Sequence, residues 1–164
     1  MEAQKRASAT RYLIFATVSM SLLLSGIGGT SVAVALEAIR TDFSVSVVMV
    51  GWVIGGFQLA LTVSMPISGK VCDVLGRKPT FMLCVGLFIL GSLGAALAPN
   101  MALLIAARLV QALGAGGFMP SAVGIVAEVF PHSRQRAIGL FSSIFPIGQI
   151  AGPVLGGWLI ESYG

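Results

Sequence analysis

Arg108 and Gln111 stand three residues apart within one apolar run, and Arg108 is the only charge clearly inside the chain's apolar stretches. At positions i and i+3 both side chains project from one helix face and make a polar strip. If that run crosses a bilayer, a guanidinium near its middle costs roughly 2.5–3.5 kcal/mol on insertion scales, which marks it as functional by default. The plain alternative is snorkelling: at 1.5 Å per residue, Arg108 lies within about 10 Å of Met101 and the nearby surface. An arginine does not release its proton at working pH.

A second group gathers around two glycines, where Asp73, Arg77 and Lys78 accompany Gly69 and Gly76. This connection is expected to be a short polar loop. Its carboxylate has two uses there, capping a helix N-terminus or pairing with a base. Glu128, further along, is placed to meet Arg77. The plain alternative is a solvated turn. Other chemistry is excluded by what the pattern lacks: there is no Ser-His-Asp set, HExxH run or phosphate loop. His132 has no second ligand beside it, and Cys72 and Cys84 have neither disulfide nor metal-site spacing. The expectation is therefore no enzyme, no metal and no cofactor.

The elements that hold these residues are read from hydropathy. Charged residues make up 10% of the 164 and hydrophobic ones 56%, with a mean hydropathy of +0.96. A soluble domain carries roughly a quarter of its residues charged, so lipid must be part of this chain's solvent and a soluble bundle is disfavoured. A hydrocarbon layer about 30 Å thick needs roughly 20 apolar residues of helix. Five stretches qualify, at 12–36, 47–68, 80–97, 101–127 and 137–160, within residues 1–164. The fold class is an all-α membrane protein. The first run, after Lys5, Arg6 and Arg11, exceeds a signal peptide's apolar core of about 7–15 residues and is read as an uncleaved span.

Topology follows from the basic residues. Lys5, Arg6, Arg11, Lys70, Arg77, Lys78, Arg134 and Arg136 all fall on one side, and only Arg40, beside Glu37 and Asp42, falls on the other. Positive segments stay inside, so the N-terminus is expected to be cytoplasmic, in a cell (inner) membrane. The same scatter leaves no basic stripe for nucleic acid. Glycines recur every fourth residue, Gly51 and Gly55 in the second span and Gly148, Gly152 and Gly156 in the fifth. Each set is expected to let another backbone approach closely. Pro153, lacking an N–H, is expected to bend the fifth span.

The spacing Gly69–Asp73–Gly76 recurs as Gly157–Glu161–Gly164. The copies follow the second and fifth spans and lie on opposite sides, as an inverted repeat of three spans requires. A sixth span is then expected after Gly164, with residues 1–164 forming five helices of an incomplete six-helix half.

Three segments together resemble the signature motifs of the major facilitator superfamily. They are Gly69-Lys-Val-Cys-Asp73-Val-Leu-Gly76-Arg77-Lys78, Leu104-Ile-Ala-Ala-Arg108-Leu-Val-Gln111-Ala112-Leu-Gly114 and Gly148-Gln-Ile-Ala-Gly152-Pro153-Val-Leu-Gly156-Gly157. The resemblance covers the whole chain and is nearest the drug:proton antiporter, multidrug-efflux branch. It implies that Asp73 and Arg77 latch onto an opposite half, with Glu128 joining them. It places Arg108 beside a central cavity, and has Gly152 and Pro153 shape the fifth span where it meets that half. Partners so implied are the bilayer, a small-molecule substrate of the full-length parent and a missing C-terminal half. Fourteen-span efflux relatives often carry Asp, Asn and Pro where this chain has Gly28, Ala33 and Glu37. With no clearly buried carboxylate in the five spans, a proton carrier is expected outside them, or coupling is not to protons. The expected function is alternating-access transport, with proton-coupled drug efflux as the finer reading. The alternatives are a metabolite or sugar carrier and a truncated, non-transporting scaffold or partner subunit.

Overall fold

The computed structural model describes residues 2–163, with side chains described for 9–162. The side chains of Lys5 and Arg6, and Gly164 of the repeat, lie outside the described residues. Six α-helices follow one another: α1 (Glu2–Thr30), α2 (Val32–Asp42), α3 (Val47–Leu75), α4 (Arg77–Ala96), α5 (Met101–Val129) and α6 (Arg134–Tyr163). A single 3-10 turn, Pro131–Ser133, leads into α6. Five of these helices are long and apolar enough to cross a membrane. At 1.5 Å per residue the 29-residue helices α3 and α5 reach roughly 44 Å, beyond a hydrocarbon layer of about 30 Å.

The boundaries correct the expectations at two places. The run 12–36 is not one helix, because it breaks at Ser31. There Ser31 N–H still reaches Ile27 O at 2.9 Å, but Val34 N–H turns to Ser31 O at 3.3 Å, a tighter period. Apolarity continues across the break and hides it. Nor is the segment 69–75 a loop, since it forms the last turns of α3. Hydropathy falls where a helix leaves lipid, but its hydrogen-bond ladder need not stop there. Gly76 alone joins α3 to α4, with φ +88°, a conformation that glycine adopts without penalty. Pro79 then falls in the first turn of α4, where its absent N–H costs nothing. In the short turn before α5, Asn100 Oδ1 accepts from Leu103 N–H at 2.9 Å and caps that helix.

α5 is the axis of the bundle. Its apolar window is 61% buried within the chain, against 17–28% for the other spans. Small residues make this possible: a Cβ on Gly114 would stand 2.5 Å from Cys84 O, and one on Gly116 2.6 Å from Leu61 O. α4 and α3 therefore pack backbone-close against α5, while α6 packs chiefly on α1. The main core joins Leu22 of α1, Phe81 of α4, Phe118 and Val126 of α5 and Phe141 of α6. A second cluster joins Val53 of α3 and Met101 of α5 to Leu36 and Ile39 of α2 at the other end.

α3 lies on α5 as α6 lies on α1, and each seam carries one side-chain tie to a backbone carbonyl. Ser64 Oγ donates to Leu113 O at 2.6 Å, and Thr30 Oγ1 donates to Gln149 O at 3.0 Å.

Candidate functional site

Arg108 sits on α5 with 3% of its surface exposed. It does not snorkel; it turns inward. Nη1 donates to Gly28 O of α1 at 2.8 Å and to Gln111 Oε1 at 2.6 Å. Gln111 Nε2 donates onward to Ser92 Oγ of α4 at 2.7 Å, and that hydroxyl donates to Phe88 O at 2.7 Å. The guanidinium carbon lies 4.1 Å from the ring centre of Phe57 on α3, a cation–π contact with the ring face. Four helices thus meet at one arginine. The same-face pairing of Arg108 and Gln111 is read correctly from their spacing. Phe57, Ser92 and the Gly28 carbonyl are not, because their sequence separations of 51, 16 and 80 residues carry no periodic signal.

Where Arg108 takes hold, α1 is about to break. Gly28 lies three residues before Ser31, so the carbonyl that Arg108 holds belongs to the last turn of α1. A mostly apolar cavity of about 140 Å³ opens beside this junction between α1, α3 and α6, lined by Ile54, Phe57, Leu61 and Phe145 with Ser25, Thr30, Gln58 and Gln149.

The second cluster gathers at the end of the bundle where Arg77 and Lys78 open α4. Arg77 Nη1 lies 3.3 Å from Glu128 Oε1, with side-chain exposures of 43% and 68%. Its stem crosses Gly124, where a Cβ would collide with Arg77 Cδ, Nε and Nη1. Gly124 went unrecognised in the sequence, although it precedes Glu128 by four residues and so shares its helix face. Asp73 is exposed on the last turns of α3. Neither expected use of its carboxylate is met, for the cap position of α4 is Gly76 without a side-chain bond and no base pairs with Asp73 among the described residues. It lines instead an open hollow of about 290 Å³ with Gly69, Arg77, Gly124 and Arg134. Lys78 is exposed and borders an apolar groove between α1, α4 and α5 together with Leu13, Met82 and Glu128. Gly69 has open space around it.

The fifth-span glycines are used inside the chain. A Cβ on Gly148 would stand 2.6 Å from Leu23 O, one on Gly152 2.9 Å from Ile27 O, and one on Gly156 2.8 Å from Ser31 O. The backbone that approaches this glycine face closely is that of α1 and Ser31, with Pro153 half-buried beside it. α6 remains one helix through Pro146 and Pro153. Gly157 lies off this seam, where a Cβ would meet only Val34 Cγ1, at 3.9 Å. Gly51 and Gly55 correct the packing expectation, since nothing lies within 4 Å of a Cβ on either. The spacing is regular, but α3 turns that face away from the bundle.

Residues 18–164 match the family model described as Major Facilitator Superfamily. The chain belongs to this superfamily. Its major facilitator relatives include a riboflavin transporter, RibZ, of Clostridioides difficile, 29% identical over 94% of this chain and 34% of its own length. The multidrug resistance protein B homolog of Mycobacterium tuberculosis is 36% identical over 88% of this chain and 27% of its length. The efflux pump dotC of Dothistroma septosporum is 35% identical over 92% and 26%. The chain spans between a quarter and a third of these curated relatives. Major facilitator membership, with five helices long and apolar enough to cross a membrane, makes this a multi-pass integral membrane protein of a transporter family rather than an enzyme.

Proposed function

We propose that the chain supplies one wall of a transporter moving small organic molecules by alternating access, with proton-coupled drug efflux as its activity in the full-length protein. The observation that carries this reading is the buried Arg108 at the meeting of α1, α3, α4 and α5, next to a cavity that shares Phe57 with it. Residues 1–164 act as part of an N-terminal transmembrane half, facing a second half across that cavity. The end bearing Arg77, Lys78 and Arg134 is cytoplasmic by its charge. There Asp73 and Arg77 latch reversibly onto the second half, while Glu128 holds Arg77 in place. The names of the multidrug and efflux relatives favour this substrate class.

A metabolite carrier is the second reading, favoured by the riboflavin transporter among the relatives. Full-length protein in proteoliposomes separates them. Efflux of a lipophilic cation that rises with an imposed proton gradient supports drug antiport; uptake of a flavin, with no cation flux, replaces it with metabolite carriage. Asp73→Asn is expected to slow cycling without loss of membrane insertion, and unchanged transport kinetics would remove the latch role. Residues 1–164 alone are expected to give no flux, having one wall of the cavity.

A further inference from the structure

The cavity between α1, α3 and α6 holds about 140 Å³. An apolar cavity of about 150 Å³ engineered in another protein takes up benzene, so this one has room for a single ring. Phe57 of α3 and Phe145 of α6 both stand on its wall, and aromatic side chains favour a further ring in stacked or edge-on contact. A Cβ on Gly29 would stand 3.6 Å from Phe57 Cε1, so the ring itself reaches this wall.

The polar groups on the wall are all uncharged. Thr30 Oγ1 is committed, donating to Gly26 O at 3.1 Å and to Gln149 O at 3.0 Å. Ser25 differs. Thr17 and Ser21 on the same helix each donate to the carbonyl four residues back, whereas Ser25 Oγ is buried with no partner among the described residues. Ser19 Oγ shares that state but does not line the cavity. Gln58 and Gln149 are exposed, and their amides make no hydrogen bond among the described residues. A buried hydroxyl is nearly always met by a partner, and the open space on Ser25's side of α1 is this cavity.

Charge decides what kind of ring fits. No acid lines the cavity, while the guanidinium of Arg108 rests 4.1 Å from the centre of the Phe57 ring. A cation entering here would shed its water, meet no countercharge and stand one aromatic ring away from a positive charge. An uncharged amide sheds less and gains a donor. We infer that the cavity is a subsite for an uncharged aromatic ring bearing a hydrogen-bond acceptor such as an amide. Phe57 and Phe145 hold the ring, Ser25 donates to the acceptor, and Gln58 and Gln149 meet the polar group from the exposed side. The inference rests on the transport reading above and names the part of the substrate that this wall takes. A lipophilic cation that is moved places its ring here and its charge beyond this wall.

The test compares benzamide with benzamidinium, which has the same shape and a positive charge. Thermal unfolding of the full-length protein in detergent reads their binding without flux, since a ligand held by the folded state raises the Tm. Benzamide is expected to raise it and benzamidinium is not. Ser25→Ala is expected to weaken the apparent affinity for benzamide roughly fivefold, as for one lost hydrogen bond. Gln58→Glu sets a carboxylate on the wall at an exposed position, where the change leaves the fold intact. In that variant benzamidinium is expected to raise the Tm, a gain that no loss of folding can imitate. Equal effects of the two probes on wild type would overturn the subsite. So would an undiminished benzamide effect in Ser25→Ala, or a Gln58→Glu protein that benzamidinium leaves unchanged. Transport failing in proteoliposomes while the preference for benzamide holds would strike the function and spare the cavity's selectivity. Intact transport with no such preference would do the reverse.

Discussion

Arg108 and Arg77 each extend from one helix of this bundle to another. Arg108 is 3% exposed, bonds a backbone carbonyl of α1 and rests on the ring of Phe57. Arg77 crosses Gly124 to a carboxylate on α5, with 43% of its side chain exposed. The first is held by groups that have no water to turn to, so letting go is expensive. The second pairs in the open, where an ion pair contributes about 0.2–1 kcal/mol and solvent replaces either partner. One arginine therefore suits fixing helices or recognising a ligand, and the other suits an attachment that must be released.

The largest expected effect falls on the buried member. Arg108→Ala leaves Gly28 O and Gln111 Oε1 without their donor, at about 1–3 kcal/mol for each acceptor that stays buried and unmet. Thermal unfolding followed with a thiol dye in a Cys72→Ser background reads this, since Cys84 is buried and Cys72 is part-exposed. An unchanged midpoint would erase the contrast between the two arginines. Gln111→Leu comes next, losing the bonds to Arg108 and Ser92 at about 0.5–1.5 kcal/mol each. Should it destabilise as much as Arg108→Ala, the amide rather than the cation organises the junction.

Glu128→Gln is expected to shift stability by no more than about 1 kcal/mol, while altering transport rate in the full-length protein. A large loss of stability instead would make Arg77–Glu128 a structural pair like its buried counterpart. The smallest effect belongs to Glu37, whose hydrogen bond from Arg40 holds its carboxyl below the ordinary value of 4.5. A lowered value means that the bond stabilises above that pH and is lost as pH falls through the folded-state value. The Tm difference between wild type and Glu37→Gln should shrink on acidification. A difference that grows would reverse the sign.

How far the sequence reveals these arrangements depends on the range of the interaction. Five spans are legible because each apolar window records a local transfer from water to lipid. Arg108 with Gln111 is legible because one helical turn relates them, and Glu128 with Arg77 because both end apolar runs at the same surface. Phe57 is not, for an aromatic in an apolar span looks like any other until α3 is laid on α5. The break at Ser31 is hidden because hydropathy is indifferent to a tightened hydrogen bond. Gly51 and Gly55 share the spacing of Gly148 and Gly152, yet one pair faces open space and the other meets α1. Spacing establishes which residues share a face, and only packing decides where that face looks.

The joint at Gly76 has a mechanical consequence. α3 and α4 meet at one residue, with no loop to absorb displacement. The pivot is braced on both sides, Gly76 N–H bonding Cys72 O at 3.0 Å and Thr80 Oγ1 bonding Gly76 O at 2.7 Å. The two helices then behave as the arms of a bell crank. A push on the end of α3 that bears Asp73 arrives as a turn of α4 at Thr80 and Phe81, inside the core. A flexible linker would dissipate that force before it travelled one turn.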